Sequence, residues 1–248
     1  MELLIVNPNT SEEFSKTIRA TATQHCRPDT VIRVVNPSIG PRWIDGRYEE
    51  LLSAPYTVQL ILENEASCDG FIIACYSAHI AISAAREVIA KPVVGIAEAS
   101  MLVATLLGDR FSVVTSGTRW KPLLEEDIAR IGLSSRCASV RAASLETADL
   151  ELMTQERIEG LLLAEAQAAV DRDGAEVICL GCAGMSGFDA RLKERLGVPV
   201  LDGVVCAVAM VETLVSCGFS TSKTRTFANP GPNRLEGMPD SLSSVYHR

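Results

Sequence analysis

Short apolar runs and longer amphipathic stretches alternate along the chain. Glu2–Val6 is apolar after its first residue, which suits a strand buried on both faces of a parallel sheet. The segment Asn7-Pro8-Asn9-Thr10-Ser11 interrupts it. Thr10 or Ser11 then caps a predicted helix to about Gln24, with Glu12 and Glu13 favouring the first turn. Val31–Val35 is the next strand. Residues 36–48, with Pro37, Gly40, Pro41, Trp43 and Gly46, make a connection long enough for a functional loop. A helix over 49–66, a strand over 70–74, a turn at Cys75, a helix over 78–89, a strand over 93–96 and a helix over 97–107 follow.

The order then restarts. Phe111–Thr115 predicts a strand, Ser116-Gly117-Thr118 a turn and 120–131 a helix. Strands over 137–141, Val177–Leu180 and 198–201 alternate with helices over 154–173 and 187–196, and an apolar helix over 204–217 closes the pattern. Each half delivers a cysteine turn from an apolar strand (FIIACYS, VICLGCAG), and the two cysteines stand about 107 residues apart, a weak internal duplication. Alternating strands and helices imply an α/β protein of two parallel-sheet lobes with right-handed crossovers. In such sheets ligands sit beyond the carboxyl ends of the strands, where 7–10, Cys75, 115–118 and Cys182 all fall.

Composition narrows the partners. The 248 residues are 47% hydrophobic, enough for buried cores in two lobes, and with 5% aromatic residues the profile is that of an ordinary soluble α/β protein. The net charge of -8, without a Lys/Arg block, argues against nucleic acid. No apolar stretch is long enough for a membrane span, and the Glu2 start lacks the basic region of a secretory signal. Most of the eight cysteines lie in apolar runs, which suits reduced core residues in a cytoplasmic protein rather than a disulfide framework. Cys179 and Cys182 form a lone CxxC beside only three histidines, so no metal site is expected and Cys179 reads as core. The polar tail from Ser220 is expected to be partly loose.

Cys75 and Cys182 are the candidate catalytic groups. Each stands where a helix is expected to begin, so free backbone N–H groups would lower its pKa towards neutrality. One thiolate on each face of a carbon acid could remove and return a proton. Asn9, Thr115, Ser116 and the 183–184 backbone at Ala183 and Gly184 offer donors for a polar, amide-like ligand. Tyr76 and Ser77 flank the first thiol. His79 is weighed as its charge partner against a place on the solvated helix face, with the functional place preferred. Glu98 and Asp202 fit helix capping as well as they fit a site.

Asn7-Pro8-Asn9-Thr10, the Cys75-Tyr76-Ser77 turn, Gly95-Ile96-Ala97-Glu98-Ala99 and Leu180-Gly181-Cys182-Ala183-Gly184-Met185 together resemble the Asp/Glu/hydantoin racemase superfamily, in its hydantoin and allantoin racemase branch. The resemblance runs from residue 1 to about 218. It implies two pseudo-symmetric, Rossmann-like lobes with four-stranded sheets and the active site in the cleft between them. It also implies no cofactor and proton exchange between Cys75 and Cys182, with Asn9, Ser77, Thr115, Ser116 and the 183–184 backbone around a small-molecule substrate. The expected division is 1–98 plus 204–220, then 99–203, then a tail over 221–248, in a homo-oligomer. After the first cysteine turn Ala78-His79-Ile80 departs from the bacterial hydantoin racemases and looks closer to yeast relatives. A related isomerase or lyase on the same scaffold, and an inert ligand-binding protein, are the rival readings. Two retained thiols argue against the decarboxylases of the superfamily, which keep one.

Overall fold

The computed structural model describes residues 1–233 and 235–247. The apolar runs β1 (Glu2–Val6), β2 (Val31–Val35), β3 (Gly70–Ile73) and β4 (Val93–Gly95) pair in parallel in the order β2-β1-β3-β4. The second set, β5 (Phe111–Thr115), β6 (Cys137–Ala142), β7 (Val177–Leu180) and β8 (Val200–Leu201), repeats that order as β6-β5-β7-β8. Burial follows pairing. The inner strands β1, β3, β5 and β7 are covered on both faces, whereas the edges β2 and β6 are half open, as their more polar sequences require.

Helices cover the sheets. Ser11 caps α1 (Glu12–His25) by accepting the Phe14 N–H at 3.1 Å, and α1 buries Phe14, Ile18, Thr21 and Ala22 at helical spacing. The first sheet is completed by α2 (Arg47–Asn64) and α3 (Ile80–Val88); α4 (Ile96–Leu107) leads into the second. There α5 (Trp120–Arg130), the short α6 (Asp149–Leu152), α7 (Gln155–Asp173) and α8 (Asp189–Leu196) follow in turn. The last long helix, α9 (Gly203–Ser216), returns to pack on α1, β3 and α4. A Cβ at Gly203 would lie 2.9 Å from the Ile96 carbonyl oxygen, so only glycine permits that approach of α9 to α4.

The differences from expectation are local. α3 starts at Ile80 rather than 78, α8 at Asp189 rather than 187, and α6 had no apolar period to reveal it. The tail is docked where a partly loose segment was expected. The Thr221 N–H donates to the Ala90 carbonyl, and Lys223 Nζ to the carbonyls of Arg86 and Glu87 at 2.8 and 2.9 Å. Beyond it α10 (Asp240–Ser243) rests on α2. No helix among the described residues is long and apolar enough to cross a membrane.

Candidate active site

The carboxyl ends of the inner strands open on one cavity of about 30 Å³. Pro8 and Asn9 reach it from the end of β1, Ala74, Cys75 and Tyr76 from β3, Ser116 from β5, and Gly181, Cys182 and Ala183 from β7. Phe14, Ile44, Trp120 and Thr147 complete the wall. The expected convergence of the two cysteine turns is therefore present, each lobe giving one thiol to the same space.

The thiols differ in their surroundings. Cys75 is buried, and the Ser77 hydroxyl lies 3.4 Å from its Sγ and 2.9 Å from Glu50 Oε1. Burial, then the negative charge of Glu50, pushes the Cys75 thiol well above the ordinary range; Cys182 and Asp127 add to the rise and Ser77 offsets part of it. Cys182 is less enclosed, and the backbone N–H of Gly184 favours its thiolate. Burial still moves it up to about 11, with Asp45 adding to the rise. The expectation of thiols lowered by helix N-termini is corrected here. Cys75 stands five residues before α3, and Cys182 precedes only a single 3₁₀ turn at Ala183–Met185, so neither faces the start of a long helix.

The cysteine turns are fixed by their neighbours. Gly181 donates its N–H to the Val114 carbonyl at 2.8 Å, and Thr115 Oγ1 donates to the Gly181 carbonyl at 3.1 Å. Thr115 thus holds the Cys182 strand end and does not reach the cavity wall. Asp202 caps α9 through the Val204 N–H and accepts from Ser186 and Gly187, binding the Cys182 turn to α9. Glu98 accepts the Gly95 N–H at 3.0 Å and pairs with Arg86, a capping role. Asn9 accepts from Ser11 N–H and Asn7 Nδ2 through its Oδ1. The hydroxyls of Tyr76 and Ser100 are 2.9 Å apart, which ties the Tyr76 ring to α4.

His79 is the main departure. Its Nδ1 accepts the Ala81 N–H at 3.2 Å as the cap of α3, which assigns the remaining proton to Nε2 and the 2.9 Å bond to Ser53 Oγ. Burial, then the charge of Arg47, lowers its pKa to about 4, so the ring is neutral. With both nitrogens engaged and no place in the cavity wall, it is neither on a solvated face nor a partner of Cys75. Cys179 of the CxxC is fully buried with its Sγ 3.8 Å from the Ser100 carbonyl.

Several residues escaped the sequence reading. Ile44 and Thr147 come from irregular segments, and Phe14 and Trp120 from helices whose inner faces read as core. Glu50 and Arg47 on α2 and Asp127 on α5 stand behind Cys75. Arg47 bonds Glu50 at 2.9 Å and Asp127 at 3.0 Å, and Asp127 accepts the Ala78 N–H at 2.7 Å. The long 36–48 loop was a visible signal. Its Pro41 carbonyl accepts the Thr10 N–H, Arg42 pairs with Glu151 at 3.1 Å, and Asp45 accepts from Thr147, so it spans from one sheet to the other.

Two matching parallel sheets, with one thiol from each on a shared cavity, define a two-lobed α/β protein with a candidate active site at the carboxyl ends of its strands. The profile of the Asp/Glu/Hydantoin racemase family matches residues 3–211. The chain is 42% identical to a hydantoin racemase of Pseudomonas sp. strain NS671 over 98% of this chain and 97% of that one. The structure of an allantoin racemase from Klebsiella pneumoniae superposes with a TM-score of 0.93 at 35% identity, covering 99% of this chain and 98% of that one. An uncharacterised Schizosaccharomyces pombe protein is 31% identical over 93% of this chain and 99% of its own length. The chain belongs to the Asp/Glu/hydantoin racemase family.

Proposed function

We propose that the protein racemises a cyclic ureide, a 5-substituted hydantoin or allantoin, by exchanging a proton between Cys75 and Cys182. The supporting observation is that both cysteine turns contribute to the wall of one small cavity. In this reaction one thiolate takes the proton at the stereocentre and becomes a thiol, while the C–H electron pair moves into the adjacent carbonyl as an enolate. The opposite thiol then protonates the other face of the carbon and is left as the thiolate. Asn9, with its Oδ1 already occupied, presents its amide N–H₂ to a ring carbonyl; the Ser116 hydroxyl and the Ala183 turn supply further polar contacts. The ring carbonyl and its flanking nitrogen make the stereocentre acidic enough for thiols, and no cofactor enters.

The proposal extends to organisation and setting. The lobes are 1–98 with 204–220, and 99–203, followed by the 221–248 tail. Eight free cysteines suit a reducing cytoplasm. Exposed Leu102, Leu106 and Leu107 on α4 offer an apolar face for a homo-oligomer, and the net charge of -8 disfavours nucleic acid as a partner.

The test is deuterium uptake from heavy water at C5 of enantiopure hydantoins and allantoin, followed by NMR and polarimetry. The wild-type protein is expected to exchange and racemise together, and Cys75→Ser and Cys182→Ser to lose racemisation. Normal racemisation by both variants overturns the two-thiol reading.

A further inference from the structure

Ser77 has one hydroxyl proton and two neighbours that compete for it. Its Oγ is 2.9 Å from Glu50 Oε1 and 3.4 Å from Cys75 Sγ, and Ser77 and Glu50 are 1% and 4% exposed. While Cys75 is a thiol, the proton on Ser77 serves the carboxylate and the Ser77 oxygen remains available to the S–H. Once Cys75 ionises, the hydroxyl cannot serve both anions. Either the thiolate or a buried carboxylate oxygen goes without its donor, and a buried anion without a donor is costly. Among the described residues no carboxylate shares a hydroxyl donor with Cys182, and the group that favours its thiolate is the backbone N–H of Gly184.

We propose that Glu50 is a positioning residue: by holding the Ser77 hydroxyl it keeps Cys75 the proton-bearing member of the pair in the free enzyme and leaves Cys182 to supply the thiolate. This rests on the two-thiol reading above. Other charged groups surround Glu50. Arg47, on the same helix, bonds Oε2 at 2.9 Å and is shared with Asp127 of α5 at 3.0 Å, while Glu126 lies 3.7 Å from the guanidinium. Arg130 lines the same outer groove. His79, neutral and bonded to Ser53, adds no charge. One guanidinium thus stands against two buried carboxylates behind Cys75, which favours the neutral thiol there. Near Cys182 the acidic neighbour is Asp45, whose carboxylate accepts from Thr147.

The experiment titrates the free, full-length enzyme carrying ¹³Cβ-labelled cysteine, with the two resonances assigned through Cys75→Ser and Cys182→Ser. In the wild type Cys182 is expected to ionise at lower pH than Cys75. Glu50→Gln turns an amide N–H towards Ser77 and frees its hydroxyl for the thiolate, so the Cys75 midpoint falls by about one pH unit or more while Cys182 moves much less. Glu50→Asp keeps the charge but withdraws the acceptor through its shorter stem. Cys75 falls there too, which separates the hydroxyl route from simple charge and serves if the Gln variant does not fold. In racemisation assays the same variants lower the high-pH limb of kcat/KM and leave the low-pH limb near its place. Cys75 ionising before Cys182 in the wild type, or an unmoved Cys75 midpoint in these variants, overturns the proposal. The titration needs no substrate, so its failure is distinct from a failure to racemise ureides.

Discussion

His79 ties the stability of the fold to acid in a calculable way. The ring is fully buried as the cap of α3 and is held neutral, its pKa lowered from an ordinary 6.5 to about 4 by burial and the nearby Arg47. Below pH 6.5 the unfolded chain takes up a proton that the folded chain refuses. The stability due to this residue is therefore whole above that pH and declines as pH falls towards 4. With about 1.4 kcal/mol per pH unit of difference, the loss between pH 7 and pH 5 is about 2 kcal/mol. His79→Asn keeps a capping side chain that does not titrate. Urea unfolding at pH 7 and pH 5 is the assay. The variant is expected to be about 1–3 kcal/mol less stable at pH 7, because Ser53 and the packed ring are lost. Between pH 7 and pH 5 it should lose about 2 kcal/mol less than the wild type, since every other titrating group is common to both chains. Equal losses in the two proteins would refute the assignment of a neutral, buried ring.

Two further outcomes follow from the cavity wall. A Cβ at Gly181 would lie 2.9 Å from Thr115 Cα, so Gly181→Ala displaces the turn that holds Cys182; kcat is expected to fall on the order of a hundredfold while the circular dichroism spectrum is retained. Ile44→Ala opens the wall, and the kcat/KM ratio of a bulky to a small 5-substituted hydantoin should rise about tenfold in competition assays.

The apolar runs made both sheets legible, because a strand buried on both faces has little choice of residue: Leu3 to Val6 and Phe111 to Thr115 are buried without a break. The two thiols were legible because each follows such a strand in a small-residue turn at its carboxyl end, where ligands of parallel sheets sit. The environment of each thiol was not. Glu50 falls in an ordinary helical pattern, and only the packing of α2 against the Cys75 turn brings it to Ser77. His79 misled because an N-cap and an acid/base residue look alike until both ring nitrogens have visible partners. Thr115 misled in the same way: its hydroxyl points along the sheet to Gly181 rather than into the cavity. Ile44 and Thr147 lie in segments with no period, so nothing local marked them as wall residues.

The chain passes between the two sheets twice, outward through α4 and back through α9, and these helices touch at Gly203 and Ile96. Each cysteine turn is carried by its own sheet, so the seating of α9 on α4 bears on how the two turns face each other. A bulkier side chain at position 203, outside the cavity wall, would wedge the pair apart like a shim in a hinge and shift one cysteine turn against the other.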